Sequence, residues 1–270
     1  MLTLVLALLG AGGGLALLHA QDSAPGASRA TGTSTPRVVA SAGPISLNER
    51  DIQEITGQRE PVPMFHTQIS SWTRMMKGTP TSAIPQAQLE ASVASHGKIV
   101  LVGPKYHLPY AKDGVHLSNE GYRHLGEDYA KAYRRVVLED GTWEPLRPIA
   151  VAREGRVITV GFAVPSPPLV LDTERVTDPG SYGFEYTDAA GSSPRIVKVE
   201  LTGADAVAIT LSAEPTAQDK RIRYAFTGTK GARSGPETGA RGNLRDSDAT
   251  PSRHGYALYN WCVHFDEAVP

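Results

Sequence analysis

The run Lys98-Ile99-Val100-Leu101-Val102-Gly103 constrains the fold more than any other stretch of the chain. Its consecutive apolar residues leave neither face of a strand polar, so the strand needs cover on both sides, as in a parallel sheet. Upstream, Pro61 to Gln68 reads as a second strand. Between them, Ile84 to His96 has helical spacing, with Ile84, Ala87, Leu89, Ala91 and Val93 on or near one face and Gly97 as the stop. Downstream, Ser118 or Asn119 is a natural N-cap. Tyr122, Leu125, Tyr129, Ala132 and Val136 then recur at three- and four-residue intervals, which predicts a helix with one buried stripe closed at Asp140-Gly141. A shorter helix is expected over Leu47 to Thr56, ending at Gly57. Strand, helix, strand, loop, helix predicts an α/β unit with a parallel sheet.

The loop between the apolar run and the long helix carries Asp113-Gly114-Val115-His116. A carboxylate and an imidazole three residues apart at a loop-to-helix corner can face one pocket, where the Asp sets the His tautomer and stabilises its protonated form. The corner follows the carboxyl end of a strand, where ligand crevices of such sheets lie. His66 and His107 stand near strand ends and could line the same crevice, although a core or surface role is the simpler reading for each. Trp72, Tyr106 and Tyr110 could stack on a sugar or cover the sheet edge. With no His-x-His and no cluster of carboxylates, neither a metal nor another cofactor is expected.

Composition sets the limits around this core. The chain has 270 residues, 40% of them hydrophobic, and a formal net charge of -1, so no nucleic-acid partner is expected. Its single cysteine, Cys262, excludes an intramolecular disulfide framework and reads as a small apolar residue in the last strand. Residues 1–20 are apolar and uncharged, and read as a signal peptide or apolar leader. A transmembrane anchor and a buried strand and turn are the competing readings. Residues 21–44, rich in Ser, Ala, Gly, Thr and Pro, read as a low-complexity linker. Export would make the protein secreted or periplasmic, with no stable membrane partner once the leader is cleaved.

Asp113-x-x-His116 followed by Leu-Ser-Asn-Glu-Gly-Tyr and a helix resembles the last conserved block of SGNH (GDSL-type) hydrolases. Gly57-Gln58, Pro63-Met64-Phe65-His66-Thr67-Gln68 and Ser70-Ser71-Trp72 are similar to the preceding region of the carbohydrate O-acetylesterase branch. The resemblance implies a flavodoxin-type α/β domain, here its C-terminal portion over residues 45–142. It implies His116 as the general base that deprotonates a serine and Asp113 as the carboxylate that orients it. It further implies an acetylated carbohydrate, or another small ester, as substrate. The family's nucleophile stands in a Gly-Asp-Ser block, which this chain lacks; Gln21-Asp22-Ser23 is the nearest approach. Ser70, Ser71 and Ser118 are alternatives, each more simply a loop or capping residue.

After Trp143 the periodicity changes. Val157–Phe162, Leu169–Leu171, Tyr182–Tyr186, Ile196–Leu201, Ala206–Leu211 and Arg221–Phe226 are short β runs separated by turn signals. They predict an all-β sandwich accessory domain over residues 149–270. Ile196, Lys198 and Glu200 should form a wet face against a dry face of Val197, Val199 and Leu201. The tail from Ala232 should be mostly loop until Tyr256 to Phe265 supplies a last strand; Gly242 to Asp248 could form a polar binding loop, though a solvated connection is the simpler reading. Two functions of different kind follow: ester hydrolysis at His116 and Asp113, or a non-catalytic carbohydrate- or surface-binding protein in which the sandwich does the binding.

Overall fold

The computed structural model describes residues 43–75 and 77–270. The apolar leader, most of the low-complexity stretch and Ser23 lie outside the described residues. Helix α1 spans Gly43–Thr56 and ends at Gly57, whose positive φ of 71° suits a residue without Cβ. Strands β1 (Met64–His66) and β2 (Ile99–Leu101) pair in parallel, with Phe65 opposite Val100. The crossover between them contains α2 (Ile84–Ala94), which has Pro85 in its first turn and stops before His96 and Gly97, both at positive φ.

The apolar run behaves as its composition requires. Val100 and Val102 pack with Phe65 and Ala132 on one face of the parallel pair, whereas Leu101 joins Leu89 and Tyr106 in a different cluster. Opposite faces of one strand thus enter two cores, which is why no position in it can be polar. Helix α3 (Asn119–Tyr133) covers the first face. Ser118 is its N-cap and accepts a hydrogen bond from the Gly121 N–H at 3.1 Å. The helix widens into a π-helical turn over Arg134–Leu138 before Asp140, at φ 51°, ends it.

The remaining strands are antiparallel. Strands β3 (Arg147–Glu154), β4 (Val157–Ala163), β7 (Ile196–Thr202) and β8 (Ala206–Leu211) form one sheet in the order β3-β4-β8-β7. Strands β6 (Phe184–Thr187), β9 (Arg221–Tyr224) and β11 (Phe265–Ala268) form a second in the order β11-β9-β6. Strands β5 (Val170–Leu171) and β10 (Leu244–Arg245) make a short pair. Ile158, Val160, Ile209, Ile222, Tyr224 and Phe265 meet in the same cluster as Leu89 and Leu101. The second face of the parallel pair is therefore buried with residues of the antiparallel sheets, in a mixed α/β fold. Each fully buried Leu, Ile or Phe here contributes about 1.5–3 kcal/mol. No helix among the described residues is long and apolar enough to cross a membrane.

Four details depart from the expectations. Strand β3 was not anticipated, because Pro148 interrupts its pattern; the register shifts between Pro148 and Ala150, a bulge that accommodates the proline. A second shift between Ile196 and Lys198 breaks the alternation of β7, leaving Val197 57% and Leu201 37% exposed while Ile196 and Val199 are partly buried. The dry face predicted for Val197, Val199 and Leu201 does not form. Gly242 to Asp248 is no solvated loop, since Asn243, Leu244 and Asp246 are fully buried. Tyr256 to Phe265 is mostly not a strand: Trp261 bridges Arg245, and pairing in β11 begins only at Phe265. Cys262 is buried in this segment, just ahead of the strand.

Candidate active site

The loop between β2 and α3 folds back on itself before the helix begins. Tyr110 and Leu117 form an antiparallel bridge, and Ala111 N–H donates to the His116 carbonyl at 2.8 Å. Ser118 closes the base through its N–H, which donates to the Pro109 carbonyl at 3.0 Å. Asp113-Gly114 is therefore the tip of a small hairpin, as an Asp-Gly dipeptide favours. Gly114 sits at φ 71°, and a Cβ there would fall 2.5 Å from Cγ of Arg233. Arg74 Nε donates to the Asp113 carbonyl at 3.2 Å, and the Ser234 N–H to the Gly114 carbonyl at 3.1 Å. Segments distant in sequence thus hold the tip in place.

Within this tip the two candidate residues meet. Asp113 Oδ1 accepts hydrogen bonds from the Val115 N–H at 2.9 Å and the His116 N–H at 3.0 Å. Oδ2 lies 2.7 Å from His116 Nδ1. The Val115 amide, the His116 side chain and the His116 amide together hold the Asp113 carboxyl down to about 2, so it is ionised throughout the neutral range. An ionised acceptor places the imidazole proton on Nδ1 and leaves the Nε2 lone pair for chemistry. Both side chains are about half exposed, at 50% for Asp113 and 49% for His116.

Of the alternative serines, Ser118 and Ser70 have engaged hydroxyls and Ser71 is buried. Ser118 caps α3. Ser71 is buried, and its carbonyl accepts the Arg74 and Met75 amides. Ser70 Oγ lies 2.8 Å from His264 Nε2, while His264 Nδ1 lies 2.6 Å from the Ala225 carbonyl. The carbonyl fixes the Nδ1–H tautomer, so Ser70 donates to Nε2 in the relative arrangement of a nucleophile and its base. Burial, opposed by the bond to Ala225, drops His264 to about 4. Both residues are sealed, with Trp72 and Tyr106 edge-on to the imidazole at 4.9 and 5.2 Å. This pair is an internal tie between the loop after β1 and the approach to β11.

Sequence reasoning did not single out His264, because the bond spans 194 residues and no local spacing signals it. Trp72 and Tyr106, expected as possible sugar-stacking residues, are interior; Tyr106 donates its hydroxyl to the Cys262 carbonyl at 2.7 Å. The Tyr110 hydroxyl is buried as well. His66 faces the Gln88 amide at 3.5 Å, and His107 stacks on Trp261 with centroids 5.5 Å apart.

No protein-family model matches the chain, and no curated protein matches it. Among solved structures it is similar to a carbohydrate acetylesterase from Xanthomonas citri, with 14% identity and a TM-score of 0.49. The alignment covers 81% of this chain and 44% of that one, so the chain spans less than half the length of that structure.

Proposed function

We propose that Asp113 and His116 are the acid–base half of an ester-hydrolysing centre of the serine-hydrolase type. Carbohydrate O-deacetylation is the substrate class, taken from the resemblance of the motif and its flanks to SGNH esterases. In this reading the two antiparallel sheets form an accessory sandwich beside the catalytic α/β unit. The observation that carries the proposal is the 2.7 Å contact between His116 Nδ1 and an Asp113 carboxylate pinned by two backbone amides. Nε2 takes the proton of an attacking hydroxyl, Asp113 stabilises the imidazolium so formed, and Nε2 then protonates the departing alcohol. Among the described residues no hydroxyl hydrogen-bonds to Nε2, so no nucleophile is assigned: a serine outside the described residues or a water activated by His116 would serve.

Hydrolysis of an aryl acetate and release of acetate from an acetylated glycan test this reading. His116→Ala should lower turnover by roughly 10²–10⁴-fold, the usual contribution of a positioned base. Labelling with a fluorophosphonate followed by peptide mapping distinguishes a serine nucleophile from water. Equal turnover in wild type and His116→Ala would remove the catalytic role.

A further inference from the structure

A second cluster of ionisable side chains takes no part in the proposed chemistry. His124 and Asp128 stand four residues apart on α3, so they share a helix face. His107, in the loop after β2, comes against that face. One ligand-capable atom from each of the three lies within 4.8 Å of the others. The side chains of His107 and Asp128 are 6% and 12% exposed. Both ring nitrogens of His107, Nε2 of His124 and Oδ1 of Asp128 are buried without a hydrogen-bond partner among the described residues. His107 Nε2 and Asp128 Oδ2 approach to 3.7 Å, too far for a hydrogen bond. Buried polar atoms are normally satisfied, and an imidazole with neither nitrogen engaged is a conspicuous exception.

The rings are held in place. His107 stacks on Trp261 at an interplanar angle of 12°, and His124 on Tyr256 at 4° with centroids 4.7 Å apart. Stacking fixes the ring planes and therefore the directions of the nitrogen lone pairs. The neighbouring cation is neutralised, since Lys131 is 2.9 Å from Asp248 and also bonds Asn260. Two imidazoles and one carboxylate suit a borderline divalent ion such as zinc, whereas calcium and magnesium favour oxygen ligands. A cavity of about 10 Å³ opens beside His107, Asp128, Leu125 and Trp261. That is about the space of one water, against two of the three candidate ligands. Tetrahedral bonds of about 2.0 Å put ligand atoms about 3.3 Å apart, so the loop after β2 and α3 must draw slightly closer when an ion binds.

We propose that His107, His124 and Asp128 form a structural site for one divalent transition-metal ion, clamping the loop after β2 to α3. The test uses the full chain, stripped with a chelator and titrated with zinc chloride by calorimetry, and with cobalt(II) by visible absorption. One equivalent should bind, with tetrahedral cobalt bands and a metal-dependent rise in Tm. His107→Ala should weaken binding roughly 100-fold or more. Asp128→Asn, which keeps the side chain's shape and guards against a folding defect, should do the same. His254→Ala, which removes the exposed pair with Glu127 nearby, should leave affinity unchanged. The absence of saturable binding to the folded wild type would overturn the proposal. So would equal affinity in wild type, His107→Ala and Asp128→Asn, or a loss confined to His254→Ala.

Discussion

Asp113 does two jobs with its two oxygens. One closes the turn by accepting the Val115 and His116 amides, and the other holds the imidazole. Because the carboxyl sits at about 2, it stays ionised across the neutral range and keeps accepting the imidazole N–H. Asp113→Asn should therefore lower kcat by roughly 10²–10⁴-fold, because an amide can donate to Nδ1 and favour the wrong tautomer. Circular dichroism should show an unchanged fold, and KM should move little. Wild-type kcat in that variant would show that the pair is only a capped turn. This contact was legible in the sequence because three residues on one tight turn determine it. Ser70 and His264, or His107 and α3, meet only once distant segments have packed, and no spacing rule reaches that far. Local patterns such as His-x-His signal only ligands close in sequence, whereas His107, His124 and Asp128 gather from a loop and one helix face.

At the scale of elements, helices and buried strands were readable and irregular segments were not. The apolar run of β2 and the stripe of α3 carry strong periods, whereas β3 hides behind Pro148 and β7 changes parity at its bulge. The segment from Asn243 to Val263 reads as a polar and aromatic tail. Asp246 within it is instead buried and accepts from Asn260 and from the Ser166 and Asp248 amides. Helix α3 holds this segment through Lys131, which reaches Asp248, Asn260 and the Leu258 carbonyl. The Lys131 and Asp248 side chains are only 9% and 12% exposed. Removing one partner of such a pair typically costs about 3–5 kcal/mol, because the other charge stays buried. Lys131→Met should show a loss of this order in urea unfolding. Amide exchange should rise first over 246–262. A loss below about 1 kcal/mol would mean that the segment is held by its apolar side chains alone.

Across the whole molecule, the buried neutral histidines His66 and His264 contribute to how stability responds to pH. Burial, with Lys105 adding to it, holds both His66 and His264 down to about 4. In the unfolded chain each returns to about 6.5. Between these values His66 and His264 together bind about two more protons in the unfolded state than in the native state, a contribution that makes stability rise with pH through this window. It is fully present above about 6.5 and is lost as pH falls toward 4. Asp246 and Glu267 work in the opposite sense, because burial raises their carboxyls and the native state keeps protons that the unfolded chain releases. A single wild-type curve therefore mixes both contributions, and a difference between proteins separates them. In His66→Asn, the slope of unfolding free energy between pH 5 and 6 should fall by about 1.4 kcal/mol per pH unit, the equivalent of one proton. Urea titrations at pH 5, 5.5, 6 and 7 on both proteins measure this directly. Identical slopes would show that His66 takes up its proton in the folded chain as readily as in the unfolded one, and that the end of β1 is open to water.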